Sequence, residues 1–286
     1  MDGPERIDEQ SITDAVTRRL EGATSPRVHE VSEALVRHLH AFVREVEPTM
    51  EEWWEGIDFL TRTGQMCSAT RQEFVLLSDT LGVSMLVDAI NNRGDGATES
   101  TVLGPFYVED PPQAELGADI AGGHAGERLL VEGTVRTLAG VAISGATVDT
   151  WHSDTEGYYD IQHDGHTYMR ARFTTDDEGR FRFWSIVPSS YAIPADGPIG
   201  EMLEAQGRHP YRPAHVHFMI RVGGYRPLVT HLFVAGDEYL GSDAVFAVKE
   251  SLICELERHP AGTAVDGTTF GEPYARLEYD FVLVDE

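Results

Sequence analysis

The sequence predicts a mainly β protein: an antiparallel β-sandwich, or its closed-barrel counterpart, preceded by an N-terminal α-helical region. Three observations carry this. Apolar residues recur at helical spacing through the first third and at a spacing of two from about Arg128 onward. The later segments are short, rich in β-branched and aromatic residues, and several are separated by turn residues. No helical pattern alternates with them, which argues against a parallel βαβ sheet.

In chain order, Val31, Leu35, Leu39, Phe42 and Val46 step by three and four and share one helical face. Thr49-Met-Glu-Glu52 and Thr70-Arg-Gln-Glu73 fit the capping box, in which side chains satisfy free helix N–H groups reciprocally. Trp53, Ile57 and Leu60 repeat the spacing, and Phe74 to Ile90 continues it with Gly82 as a weak point. The polar run Asn91 to Gly96 ends the helical region, taken as residues 1–97. A connecting segment, residues 98–127, carries Val102, Leu103, Phe106 and Tyr107, too apolar for a free linker, so it is expected to pack.

Residues 128–286 form the expected sandwich. Its strands are read as Leu129–Thr137, Ala146–Trp151, Tyr168–Thr174, Arg180–Ile186, Ala214–Arg221, Pro227–Val234 and Glu278–Val284. Asp177-Glu-Gly179 and Gly223-Gly224 supply turns, and Asp243 to Arg258 reads as one late helix or helical turn.

Composition narrows the function. The 286 residues include 48 acidic and 22 basic ones, a net charge of −26, which argues against nucleic acid and anionic membranes as partners. Two cysteines, Cys67 and Cys254, leave no disulfide framework. No basic-then-apolar leader and no bilayer-length apolar run is present, so a soluble, cytoplasmic protein is expected.

The histidines offer several constellations. His38 and His40 sit in a helical pattern, where residues two apart point about 200° apart and cannot share a metal. His215 and His217 lie on one face of a strand whose other face is Val216, Phe218 and Ile220. They are either a rigid metal-binding pair or two hydrogen-bonded surface histidines. His152-Ser-Asp154 is either half of a 2-His-1-carboxylate Fe(II) site or an ordinary strand end. Tyr159 and Tyr191, each unremarkable alone, are the anionic oxygen donors a hard Fe(III) prefers. Phosphate-cradling glycine loops and a serine elbow are absent.

Taken together, Thr98-Glu-Ser-Thr-Val-Leu-Gly-Pro-Phe-Tyr107, Val148-Asp-Thr-Trp-His152, Gly157-Tyr-Tyr-Asp160 and Arg212-Pro-Ala-His-Val-His-Phe218 closely resemble the intradiol ring-cleaving dioxygenases. The likeness continues through Leu228-Val-Thr-His231, Gly236 to Leu240, and Phe59 to Gln65, in order over nearly the whole chain beyond about residue 25.

The resemblance implies one Fe(III) per subunit held by Tyr159, Tyr191, His215 and His217, with Tyr191 axial and His217 opposite it. The family pattern Gly-x-Tyr favours Tyr159 over Tyr158. It implies cleavage of a 1,2-dihydroxylated aromatic ring by O2, with Arg212 as active-site arginine. His231 stands where catechol-specific members carry Gln. Pocket walls are implied at Leu76, Asp79, Val102, Leu103, Gly104, Pro105, Phe106, Ile193, Pro194 and Val245. Asp79, acidic as in the hydroxyquinol branch, together with His231 and Ser189 to Pro194, favours hydroxyquinol (benzene-1,2,4-triol) over catechol or a substituted catechol. An Fe(II)/2-oxoacid oxygenase using His152 and Asp154, or a metal-free binding sandwich, stand as rivals. The resemblance further implies a homodimer through the N-terminal helices, with a phospholipid held between those helices in some members.

Overall fold

The computed structural model describes residues 7–68, 71–92, 96–163, 166–264 and 267–286. It divides into two compact units, one ending at Arg62 and one beginning at Thr63. The first is helical: α1 (Ile12–Arg18), a short 3₁₀ turn, α2 (Pro26–Val46) and most of α3 (Met50–Gln65). Ser25 caps α2 by accepting from the Val28 N–H at 3.2 Å, with Pro26 in the first turn where no N–H is needed. The Thr49 box forms as expected. The Glu52 N–H donates to Thr49 Oγ1 at 3.2 Å, and the Thr49 N–H donates to Glu52 Oε2 at 2.7 Å. His38 is exposed and His40 half-buried, the latter bonded to Thr13 Oγ1 at 3.0 Å, so the two share no site. The predicted face of Val31, Leu35, Leu39, Phe42 and Val46 is uncovered, each residue about half exposed.

The second unit begins with α4 (Glu73–Thr80) and α5 (Val83–Asn91), parted at Gly82, whose φ of +71° no continuing helix tolerates. Thr70 lies outside the described residues, as do residues 93–95 of the polar run; Gln72 is the N-cap of α4.

The β elements follow: β1 (Arg128–Thr137), β2 (Thr147–His152), β3 (Arg170–Thr174), β4 (Arg180–Ile186), β5 (Tyr191–Ala192), α6 (Pro198–Ala205), β6 (Tyr211–Arg212), β7 (His215–Arg221) and β8 (Leu228–Val234). The chain closes with β9 (Ile253–Cys254), β10 (Glu257–His259), β11 (Gly262–Thr263), β12 (Thr269–Phe270), β13 (Tyr274–Glu278) and β14 (Phe281–Leu283). One sheet runs β3-β2-β7-β8-β9; the other is built on β1, flanked by β4 on one edge and by β13 and β14 on the other. Between them Phe218 meets Phe281 and Phe181 at ring separations of 4.9 and 6.0 Å, and Phe173 stacks on Phe183 at 5.1 Å. This is the sandwich core.

Three expectations are corrected. The sheets are mixed rather than purely antiparallel: β13 and β14 run parallel to β1, and β9 parallel to β8. The strand expected over Glu278–Val284 is broken at Tyr279-Asp280. There the Thr134 N–H donates to the Asp280 side chain at 2.9 Å instead of to a backbone carbonyl. The helix expected over Asp243–Arg258 does not form. The Asp243 carboxylate takes the N–H groups of Val245 and Ala247 at 3.3 and 2.9 Å, and Phe246 adopts φ +59°, which ends any helix. Only a 3₁₀ turn at Glu250–Leu252 precedes β9.

Candidate metal centre and aromatic pocket

Alternation along β7 turns Val216, Phe218 and Ile220 into the sandwich core and His215 and His217 to the opposite side. That side is covered too: both histidines are 1% exposed. Part of the cover is Gly104 of the connecting segment. A Cβ on Gly104 would lie 3.2 Å from the His217 ring, a tight contact, and the φ of +75° favours glycine there. Strand register places Trp151 of β2 and His231 of β8 on either side of His217. Trp151 stacks on His217 at 4.6 Å and 16°.

The tyrosines arrive from loops. The β5–β6 pair sets Tyr191 opposite Arg212, three residues before His215. Tyr159 reaches the same point because Gly157, at φ +88°, passes where a Cβ would be 2.7 Å from that of Tyr191. Tyr159 is fully buried and Tyr158 is 44% exposed, in keeping with the Gly-x-Tyr pattern. Phe106 stacks on Tyr159 at 4.3 Å, and its carbonyl accepts from Arg170 Nη2 at 2.8 Å. Arg170 also grips Asp160, the residue after Tyr159, with Nη2 to Oδ1 at 2.6 Å. That buried clamp ties the tyrosine loop to the connecting segment.

Four donor atoms converge. Tyr159 Oη lies 3.1 Å from His217 Nε2, 3.3 Å from Tyr191 Oη and 3.5 Å from His215 Nε2, and the two imidazole nitrogens are 3.1 Å apart. Metal bonds of about 2.0–2.1 Å space neighbouring ligands on the order of 3.0–3.4 Å, so one ion fits among these atoms. His215 Nδ1 sits 2.6 Å from the Pro213 carbonyl, which holds the proton there and leaves Nε2 a free lone pair. Burial, with Arg212 and the neighbouring rings adding to it, pushes His215, His217 and His231 well below the ordinary histidine range, so all three are neutral and able to ligate. Burial likewise raises Tyr159 well above 10, with Tyr191 adding to it; only a strong local cation would make it phenolate. Two phenol oxygens and two imidazoles suit a hard Fe(III), and this donor set fits a non-haem iron. His231 completes a buried histidine cluster, its Nδ1 held by Thr101 Oγ1 at 2.8 Å and its Nε2 without a partner.

The pocket beside these donors is a small cleft of about 60 Å³ whose walls include Leu76, Asp79, Pro105, Phe106 and Pro194, all expected, together with Arg71, Glu73 and Val75, which were not. Of the other expected wall residues, Ile193 and Val245 are buried, Val102 and Gly104 half-buried, and Leu103 is 37% exposed; none lines this cleft. Asp79 is 4% exposed; burial raises its carboxyl, a Ser84 hydrogen bond and Arg212 pull it back, and Asp243 raises it further. Burial opposes the Arg212 charge, but Asp243 and Tyr191 outweigh it and keep the guanidinium protonated.

His152 and Asp154 do not join the site. His152 is spent on the Ser153 carbonyl and Ser185 Oγ, each at 2.7 Å, and Asp154 accepts the N–H groups of Glu156 and Tyr158 in its own turn. His152 therefore has no free nitrogen for an Fe(II) site on that pair.

A sandwich presenting a buried tyrosine–histidine cluster suited to one metal ion, beside a small cleft walled in part by Leu76, Pro105, Phe106 and Pro194, defines a non-haem metal enzyme class. The comparisons agree. Residues 25–99 match the family described as "Catechol dioxygenase N terminus", and residues 102–285 match its "Dioxygenase" partner. The chain is 48% identical over 282 residues to a 6-chlorohydroxyquinol 1,2-dioxygenase of Cupriavidus pinatubonensis, covering 98% of both. It is also 48% identical to a hydroxyquinol 1,2-dioxygenase of Nocardioides simplex, covering 96% of this chain and 95% of that one. A hydroxyquinol 1,2-dioxygenase structure from Pseudomonas putida DLL-E4 superposes with TM-score 0.92 at 48% identity, covering 97% of this chain and 99% of that one. The chain belongs to the intradiol catechol dioxygenase family.

Proposed function

We propose that the protein cleaves hydroxyquinol between its two adjacent hydroxyl-bearing carbons with O2, yielding 3-hydroxy-cis,cis-muconate, a form of maleylacetate. The observation that carries the choice of substrate is Asp79: a buried carboxylate on the wall of the cleft, with the charge of Arg212 felt at it. Asp79 accepts one hydrogen bond, from Ser84, and its carboxylate keeps acceptor capacity for a third ring hydroxyl, so it favours such a ring over plain catechol.

Tyr159, Tyr191, His215 and His217 would hold one Fe(III), which supplies Lewis acidity and a template for the diol and O2. Around it the chain's residues have separate tasks. Tyr191 accepts a diol proton at its Oη. Arg212 Nη2, buried and unpartnered, faces developing negative charge on the ring. The free Nε2 of His231 holds a water or hydroxide. Phe106, Pro105, Pro194 and Leu76 exclude bulk water and align the ring. Val102, Leu103, Gly104, Ile193 and Val245, which stand outside the cleft itself, are proposed as walls of the wider substrate site.

We further read the protein as a cytoplasmic homodimer assembled through the uncovered apolar face of α2 and α3, where phospholipid acyl chains also find an apolar surface. Among the described residues no helix is long and apolar enough to cross a membrane.

The test begins with metal analysis and a visible spectrum. The expected protein carries one iron per chain and is wine-red, the colour being lost in Tyr191→Phe and His215→Ala. Initial rates are then compared at equal concentrations of hydroxyquinol and catechol. Hydroxyquinol should be preferred, and Asp79→Ala should erode that preference by about 10-fold, the loss of one buried hydrogen bond. A clear preference for catechol in the parent protein overturns the substrate assignment.

A further inference from the structure

We infer that Asp243 is a positioning residue for Arg212, fixing which guanidinium nitrogen faces the metal donors and which faces the ring; the inference rests on the reaction proposed above. The pair is buried, with side chains 3% and 2% exposed, and Arg212 Nε donates to Asp243 Oδ1 at 3.1 Å. The carboxylate is itself immobile. Its Oδ1 also accepts the Val245 N–H at 3.3 Å and its Oδ2 the Ala247 N–H at 2.9 Å, in a turn closed by Phe246 at φ +59°. A turn that only needed acceptors would be satisfied by these two contacts; the bond to Nε is additional.

A guanidinium is a rigid planar fork, so fixing the Nε edge sets the directions of the other two nitrogens. Nη1 then stands 3.4 Å from Tyr191 Oη and 3.2 Å from His215 Nε2. Nη2 is left buried with no partner. Asp243 thus occupies one donor edge, aims a second nitrogen at the metal donors and leaves the third for substrate. The charge of the other nearby carboxylate, Asp79, interacts with both members of the pair. Without Asp243, the buried cation turns toward Asp79, its remaining anionic neighbour. Arg212 would then leave the reacting ring, and Asp79 would lose its capacity to accept the third hydroxyl. Asp243 therefore supports rate and substrate choice together, although it touches no substrate.

The test uses iron-loaded, full-length protein carrying Asp243→Asn, Asp243→Glu, Arg212→Met or Asp243→Asn with Arg212→Met. Asp243→Asn should keep its iron yet lose on the order of 10²-fold in kcat, the cost of a misplaced group, with KM changing far less. Its tyrosinate absorption band should shift as Nη1 moves from Tyr191, and its preference for hydroxyquinol over catechol should shrink. Asp243→Glu, which keeps the charge, should recover part of the loss. In the Arg212→Met background, Asp243→Asn should cost little more, because the two act as one unit. Additive losses, or an unshifted band with unchanged kcat in Asp243→Asn, overturn the inference. If asparagine prevents folding, Asp243→Glu with parental kcat, band and selectivity supports it, and Asp243→Glu as impaired as Arg212→Met overturns it. A parent protein inactive on hydroxyquinol overturns the earlier reading instead, and the band shift still reports on Arg212.

Discussion

His152 is 1% exposed, and burial pushes it down from 6.5 to about 4. In the unfolded chain it titrates near the ordinary value, so between pH 6.5 and 4 the unfolded state takes up a proton that the folded state refuses. The stability this group contributes is complete above pH 6.5 and is lost as pH falls toward 4, on the order of 3 kcal/mol in all. Urea unfolding at pH 7 and pH 4.5 measures it. His152→Gln should reduce that difference without abolishing it, because the buried His215, His217 and His231 add dependence of the same sign; a variant with the parental pH dependence would exclude the effect. At this scale much of the site was legible in the sequence. Alternation puts the two histidines of β7 side by side but leaves open whether they bind metal; the ligand set, tyrosines included, comes from the family resemblance. Arg170, Asp160 and Asp243 were not legible. Each works through a partner supplied by the tertiary fold, and no local spacing announces an ion pair between residues such as Arg212 and Asp243 that lie 31 apart.

Among the elements, β1 is the one on which the second sheet depends, since β4, β13 and β14 all pair with it. Gly133 in its middle has no room for a side chain: a Cβ there would stand 1.7 Å from the Tyr279 carbonyl oxygen. That close approach lets the chain slip from β13 to β14 without losing register, since Glu132 pairs with Glu278 and Val135 with Phe281. Gly133→Ala must push Tyr279 away and separate the pairings, at an expected cost of about 2–4 kcal/mol, read as a drop in Tm or in the urea midpoint. An alanine variant within a few tenths of a kcal/mol of the parent would show that the backbone yields freely there. The sequence-predicted strand over Glu278–Val284 failed at this junction for a physical reason. The alternation of apolar residues continues through it, but Asp280 substitutes its side chain for the backbone acceptor. The late helix failed similarly, because an apolar rhythm from Ala244 to Leu252 says nothing about a carboxylate that captures two of its N–H groups.

For the whole molecule, the charge of −26 and the uncovered helical face act in opposite directions. Like charge keeps protomers apart in solution, whereas Leu35 at 58% and Phe42 at 60% exposure, beside Val31, Leu39 and Val46, make a stripe too apolar to be left in water. The charge does not protect the stripe locally. Its neighbours Glu30, Glu33 and Arg37 pair within α2, with Arg27–Glu30 at 2.8 Å and Arg37–Glu33 at 2.5 Å, and so largely neutralise one another. A stable interface needs roughly 1,200–2,000 Å², which burial of such stripes from two protomers would have to supply. The expected particle therefore has twice the 31.6 kDa chain mass. Leu35→Glu combined with Phe42→Glu should convert it to monomer in sedimentation velocity. Circular dichroism should stay unchanged, because no residue of α2 is buried within its own chain. Salt separates the two opposing terms: raising ionic strength screens the like charge and should tighten the dimer of the parent protein. A parent protein that sediments as a monomer at both low and high salt overturns the assembly proposed for this face.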